Sequence, residues 1–294
     1  MSRILDALQR ARQQQSANTA ELPDVDEIVA AGVTPPRAEA RQAELHTADR
    51  SILATCRRQN WELSSGMLFL SDGTDSAGQE QFRTLRSRLY QLREMGQLSV
   101  IVIGSALPQD GKSFVAANLA YAFALQSGRQ ALLIDADLRR VGGLDEFLKA
   151  PQGPGLVDYL KGERRAEEII QKGQVENLYL ISSGVADANA GELVGSPAFP
   201  RLVEQLRPVF DWIIIDTPPT IPISDAPLIA DFSDGVLLVV NATSTPSKMA
   251  KRAAQQFRKE SMLGVVLNRS AEPSRLYYSY SGYGYSGARS RQSE

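Results

Sequence analysis

Six stretches of the chain are almost unbroken in valine, isoleucine and leucine: Ser99–Gly104, Ala131–Asp135, Leu178–Ser182, Trp212–Asp216, Gly235–Val240 and Leu263–Asn268. A strand with one wet face alternates apolar and polar residues, so unbroken runs of this length are expected of strands covered on both faces. The segments between the runs are long enough for helical crossovers. The pattern therefore predicts an α/β fold, a doubly wound and mostly parallel sheet with helices on both faces. Ahead of the first run, Phe82, Leu85, Leu89 and Leu92 recur at helical spacing and predict one amphipathic helix.

The flanks differ. Residues 1–65 are polar after an amphipathic start (Ile4, Leu5, Leu8), hold few large apolar residues, and read as mostly extended or unstructured. Residues 66–276 carry the sheet pattern. Residues 277–294 form a low-complexity tail in which Tyr277, Tyr278, Tyr280, Tyr283 and Tyr285 are spaced by glycine and serine.

Composition narrows the functional classes. A formal net charge of −2 gives no bulk attraction to nucleic acid. The single cysteine, Cys56, lies in a polar stretch and leaves no intramolecular disulfide, and the single histidine, His46, argues against His-rich metal sites and catalytic triads. No apolar run approaches the roughly 18 residues that span a bilayer. The opening Met1-Ser2-Arg3-Ile4-Leu5-Asp6 reads as charged helix rather than signal peptide. A cytoplasmic protein is expected, reaching the membrane only through a partner.

The chemistry is concentrated after the first run, where Ser105-Ala106-Leu107-Pro108-Gln109-Asp110-Gly111-Lys112-Ser113 leads into a helical pattern. Strand, loop with G-K-S, then helix is the context of a phosphate-binding loop. Backbone N–H groups around Gln109–Ser113 and the helix N-terminus are expected to surround the β-phosphate. Lys112 is expected to reach the β- and γ-phosphates as an exposed ligand whose loss leaves stability little changed, and the Ser113 hydroxyl to ligate magnesium. The nucleotide-binding set is Gln109, Asp110, Gly111, Lys112, Ser113, Phe114 and Asn268. Asp135-Ala136-Asp137 and Asp216-Thr217-Pro218-Pro219 leave the ends of two other predicted strands, where ligands of open α/β sheets bind. Asp216 and Asp137 join Ser113 as the expected metal ligands.

These residues together resemble the bacterial tyrosine kinases (BY-kinases), autokinases of capsular and exopolysaccharide export. The resemblance runs over about residues 66–285. It is carried by the loop with Pro108, Asp135-x-Asp137-x-Arg139, Asp216-Thr217-Pro218-Pro219, the tyrosine cluster, and Glu80-Gln81-Phe82-Arg83-Thr84-Leu85-Arg86. It implies a P-loop NTPase of the deviant-Walker, partition-ATPase-like group, with ATP and magnesium as cofactors and the tail tyrosines as phosphate acceptors. It implies a homo-oligomer assembled through Glu80, Arg83 and Arg86, a membrane-embedded polysaccharide co-polymerase as activator, and a tyrosine phosphatase. Lys112, Asp135, Asp137 and Arg139 become the catalytic candidates: Asp135 as base and Asp137 as metal or water ligand, roles that could be exchanged, with Arg139 orienting a carboxylate or meeting phosphate from a neighbouring subunit. Gln109-Asp110 departs from the family's usual Gly-Glu, Asn241 stands where an arginine commonly follows the strand, and Asn189-Ala190-Gly191-Glu192-Leu193 lacks the proline often found after the asparagine. Partition and division-site ATPases share the fold and the aspartates, but carry a lysine where Leu107 stands here. A nucleotide-sensing scaffold with little catalysis is the third reading.

Overall fold

The computed structural model describes residues 51–59, 61, 67–70, 76–140 and 143–270. The amphipathic start and the tyrosine tail lie outside the described residues. In chain order the elements are α1 (Ser51–Thr55), β1 (Arg57–Arg58), α2 (Ser76–Met95), β2 (Val100–Ser105), α3 (Lys112–Ala124), β3 (Ala131–Asp135), α4 (Leu144–Leu148), α5 (Leu156–Leu160) and α6 (Ala166–Ile169). They continue with β4 (Ile170–Lys172), β5 (Leu178–Ile181), α7 (Ala190–Val194), α8 (Ala198–Leu206), β6 (Trp212–Asp216), α9 (Asp225–Ala230), β7 (Gly235–Asn241), α10 (Ser247–Ala254) and β8 (Met262–Asn268).

The strands form one eight-stranded sheet in the order β1-β4-β5-β3-β6-β2-β7-β8. The six strands from β5 to β8 in that order are parallel; β4 joins β5 antiparallel, and β1 pairs parallel with β4. The six parallel strands correspond to the six apolar runs. Their alternate residues enter two separate cores: Val100, Val102, Leu132, Ile134, Ile213 and Ile215 on one face, Ile101, Ile103, Leu133, Trp212 and Ile214 on the other. Burial on both faces is why five of these runs carry no polar alternation; β8 is the exception, with Val265 and Leu267 exposed.

The sheet reaches further back than the polar composition of residues 1–65 suggests. Cys56 and Trp61 are buried, Ile52 and Leu53 pack on the core, and Arg57–Arg58 adds the edge strand. Trp61 lies so close to Gly173 that a Cβ there would come within 2.4 Å of its ring. A few well-placed large side chains are enough to anchor a segment whose average composition is polar.

The amphipathic helix is α2, with one change in its inward face. Phe82 and Leu89 are buried, but Leu92 is exposed and its place is taken by Tyr90 and Arg93. Here α2 passes the base of β6: Trp212 Nε1 donates to Tyr90 Oη at 3.0 Å, and the Arg93 guanidinium sits 4.9 Å from the Trp212 ring centre while donating to Asp211 O. The indole needs a polar partner, and a leucine supplies none.

At its far border the sheet ends in β8, paired only with β7 among the described residues. Val265 is 55% and Leu267 64% exposed there.

Candidate active site

The C-terminal ends of β2, β6 and β3 lie side by side, because β6 inserts between β2 and β3. Asp216 and Asp135 are direct register partners across the last two strands. The phosphate loop leaves β2 at Ser105, and its Gly111 and Lys112 open α3. Gly111 has φ +95°, which glycine adopts without Cβ strain. A Cβ at Gly111 would also come within 1.9 Å of Asn268 Nδ2, whose amide donates to Asp110 O at 2.9 Å. Gln109, a non-glycine residue, also has positive φ at 66°.

Four expected site residues converge. Ser113 Oγ donates to Asp216 Oδ2 at 2.5 Å. Lys112 Nζ lies 3.8 Å from Asp216 Oδ1, 3.9 Å from Asp137 Oδ2 and 3.4 Å from Ser113 Oγ. The Lys112 side chain is only 11% exposed, so it is a largely buried cation between carboxylates rather than an exposed ligand. Burial raises the Asp216 pKa, and the Lys112 charge and the Ser113 hydroxyl oppose that rise.

Asp135 is placed differently from Asp137. It is fully buried, and both of its oxygens receive backbone N–H groups: Oδ1 from Asp137 at 3.1 Å, Oδ2 from Leu144 at 2.9 Å. Gly143 closes over it, since a Cβ there would meet Asp135 Oδ2 at 2.5 Å. Burial, then the neighbouring Asp216 charge, pushes its pKa up to about 7. Asp135 thus organises the loop that presents Asp137, and Asp137 is the carboxylate beside Lys112.

The remaining candidates have other partners. Arg139 is held by Asp225 through two hydrogen bonds, with Gly191 packed beside its guanidinium. The Phe114 ring stands edge-on to Phe82 and Phe147 at 6.2 and 6.3 Å, partly buried against the core. The carboxyl of Asp110 is buried among protein donors. Glu80 and Arg83 form an exposed ion pair at 3.1 Å, whereas Arg86 turns inward and donates to Ala122 O at 2.6 Å near the C-terminus of α3. The three charges therefore do not form one outward surface. The five tail tyrosines lie outside the described residues.

Asp225, Thr245 and the Leu144 N–H join the network without having been singled out from sequence. Asp225 and Thr245 are remote along the chain from their partners, Leu144 lies nine residues from Asp135, and none sits in a motif.

The donor set fits a magnesium–nucleotide complex. Asp216 Oδ1 is buried with no hydrogen-bond partner, beside a serine hydroxyl at a helix N-terminus. Magnesium takes one or two protein oxygens and completes its octahedron with water and phosphate. No helix among the described residues is long and apolar enough to cross a membrane.

Comparison with known proteins agrees with this geometry. A family model described as an AAA domain matches residues 99–257. Tyrosine-protein kinase YwqD of Bacillus subtilis is 32% identical over 73% of this chain and 88% of its own length. Tyrosine-protein kinase ptk of Acinetobacter johnsonii is 34% identical over 66% of this chain, which spans only 27% of that longer protein. The succinoglycan biosynthesis transport protein ExoP of Rhizobium meliloti is matched over 26% of its length, at 35% identity and 68% of this chain. Among solved structures, the kinase domain of the Escherichia coli tyrosine kinase ETK superposes with a TM-score of 0.64, at 27% identity over 71% of this chain and 82% of that one. The septum site-determining protein MinD of Pyrococcus horikoshii, complexed with Mg-ADP, superposes at 0.51, with 26% identity over 60% of this chain and 72% of its own. Matched across its sheet and its phosphate loop alike, the chain belongs to the bacterial tyrosine-protein kinase family.

Proposed function

We propose that the chain is an ATP- and magnesium-dependent protein-tyrosine autokinase whose substrates are the tyrosines of its own tail, Tyr277, Tyr278, Tyr280, Tyr283 and Tyr285. The observation that carries this reading is the convergence of Lys112, Ser113, Asp137 and Asp216 at the end of the phosphate loop. Ser113 and Asp216 would hold magnesium, which would neutralise charge on the phosphates. Lys112 swings from the carboxylates onto the β- and γ-phosphates. A tyrosine hydroxyl, a poor nucleophile at neutral pH because its pKa is near 10, gives up its proton to a carboxylate as its oxygen attacks the γ-phosphorus. The bond to the β–γ bridging oxygen breaks and ADP leaves. Of the two candidate bases, the contacts favour Asp137, which faces Lys112, with Asp135 orienting the loop behind it. The kinase acts on the cytoplasmic face of the membrane, recruited by a polysaccharide co-polymerase and reset by a tyrosine phosphatase, in the polymerisation or export of a polysaccharide.

Incubation of the purified protein with ATP and magnesium, followed by mass spectrometry of the tail, tests this. Phosphotyrosine at two or more tail positions is expected, and none in Lys112→Met. ATP hydrolysis without phosphotyrosine would replace the kinase reading with that of a positioning ATPase, the class of MinD. Nucleotide binding with neither would leave a scaffold.

A further inference from the structure

Asp110 in the phosphate loop and Asn241 at the end of β7 are joined in one hydrogen-bonded circuit. Asp110 Oδ2 accepts from Leu107 N at 2.9 Å, bracing the phosphate loop from within. Asp110 Oδ1 accepts from Thr245 Oγ1 at 2.5 Å, across 135 residues of chain. Thr245 N donates to Asn241 O at 3.0 Å, and Asn241 Oδ1 accepts from both the backbone and hydroxyl of Thr243. Ala242 N donates to Asn268 O at 2.8 Å, and Asn268 Nδ2 returns to Asp110 O. The loop after β7 and the end of β8 thus meet at one phosphate-loop residue.

A carboxyl group inside an anion-binding loop would repel phosphate if it faced the ligand. This one is buried and engaged on both oxygens by protein donors, while Lys112 faces Asp137 and Asp216 and Ser113 faces Asp216. We infer that Asp110 is a positioning residue, holding the phosphate loop in its anion-binding shape by clamping it through Thr245 to the loop between β7 and α10. The inference rests on the nucleotide reading of the site, not on kinase chemistry. Thr245 then sets affinity for the phosphates without touching them.

Calorimetric titration with Mg–ADP and, separately, Mg–pyrophosphate tests it in the parent, Thr245→Val and Thr245→Ser. A buried acceptor that loses its donor costs enough to weaken binding about tenfold. Thr245→Val is expected to weaken both ligands by that same factor, and Thr245→Ser, which keeps the hydroxyl, to restore both to within about twofold. Weakening of Mg–ADP alone would assign Thr245 to the nucleoside and overturn the clamp, as would unchanged binding of both ligands or failure of serine to rescue. A parent that binds neither ligand would overturn the nucleotide reading itself, and the clamp with it.

Discussion

Arg139 and Asp225 form a two-point ion pair, Nε to Oδ2 at 2.8 Å and Nη2 to Oδ1 at 3.1 Å. Arg139 follows Asp137 in the loop after β3, and Asp225 opens α9 after the loop that begins at Asp216. The pair therefore ties together the two segments that carry the site's carboxylates. Its members are not equally exposed: the Arg139 side chain is 39% accessible and that of Asp225 only 5%.

That asymmetry sets a first expectation. Arg139→Ala strands a buried carboxylate and should cost about 3 kcal/mol of unfolding free energy. Asp225→Asn leaves a half-exposed arginine that water can serve, and should cost about 1 kcal/mol. Urea unfolding of the two variants checks the order. Equal losses would mean that the pair is loose in solution.

Lys112→Met should remove phosphotransfer, by about a hundredfold or more. Because Lys112 sits between Asp137 and Asp216, it should also lower nucleotide-free stability by about 1–2 kcal/mol at pH 8. Removing the counter-charge raises the cost of ionising buried Asp216, whose pKa burial already raises and Lys112 lowers, so the deficit should shrink toward pH 5. Thermal unfolding at the two pH values measures it.

Asp145 supplies a pH dependence away from the phosphate loop. It lines a cavity of about 1060 Å³ with Lys149, Asp158 and Arg164, and burial pushes its pKa up to about 6. Its Oδ1 is buried without a hydrogen-bond partner. A raised carboxyl pKa means that the folded state holds a proton the unfolded chain has already released. Stability from this group therefore falls as pH rises from about 4 to 6. Discounted for partial exposure, the ionised group costs about 1 kcal/mol. Asp145→Asn should accordingly raise Tm at pH 8 by about 2–4 °C, and by less at pH 5. A gain that did not depend on pH would point to packing instead.

The charges of α2 should separate by function. Arg86→Ala removes a donor from Ala122 O and should cost about 1 kcal/mol of stability. Arg83→Ala breaks only an exposed pair, with an effect on stability below about 0.5 kcal/mol. If that surface assembles copies of the chain, Arg83→Ala alone should shift the protein toward monomer on a sizing column. An unchanged elution volume would remove Arg83 from any interface.

Legibility in the sequence followed locality. Five of the six parallel strands stand out because both their faces are buried, and β8 stands out by its apolar run although Val265 and Leu267 are exposed. The reversed pair escaped notice because Ile170-Gln171-Lys172 mixes polarity and Arg57-Arg58 is wholly polar. The phosphate loop is legible because its chemistry is contiguous, from Ser105 to Ser113. Asp110 with Thr245 and Arg139 with Asp225 lie 135 and 86 residues apart, and only the crossovers bring them together. Lys112 and Arg86 both point inward where residue type suggests an exposed charge, because side-chain direction depends on which neighbour the fold supplies.

The two borders of the sheet have opposite consequences for the molecule in concentrated solution. The border at β1 is two arginines long, and strands that are short and charged resist pairing with a stranger. The border at β8 is seven residues long, and half-bare Val265 and Leu267 stand along it. Crowding or overproduction should therefore draw copies together along β8, and a lysine at position 267 is the substitution that would keep the chain dispersed.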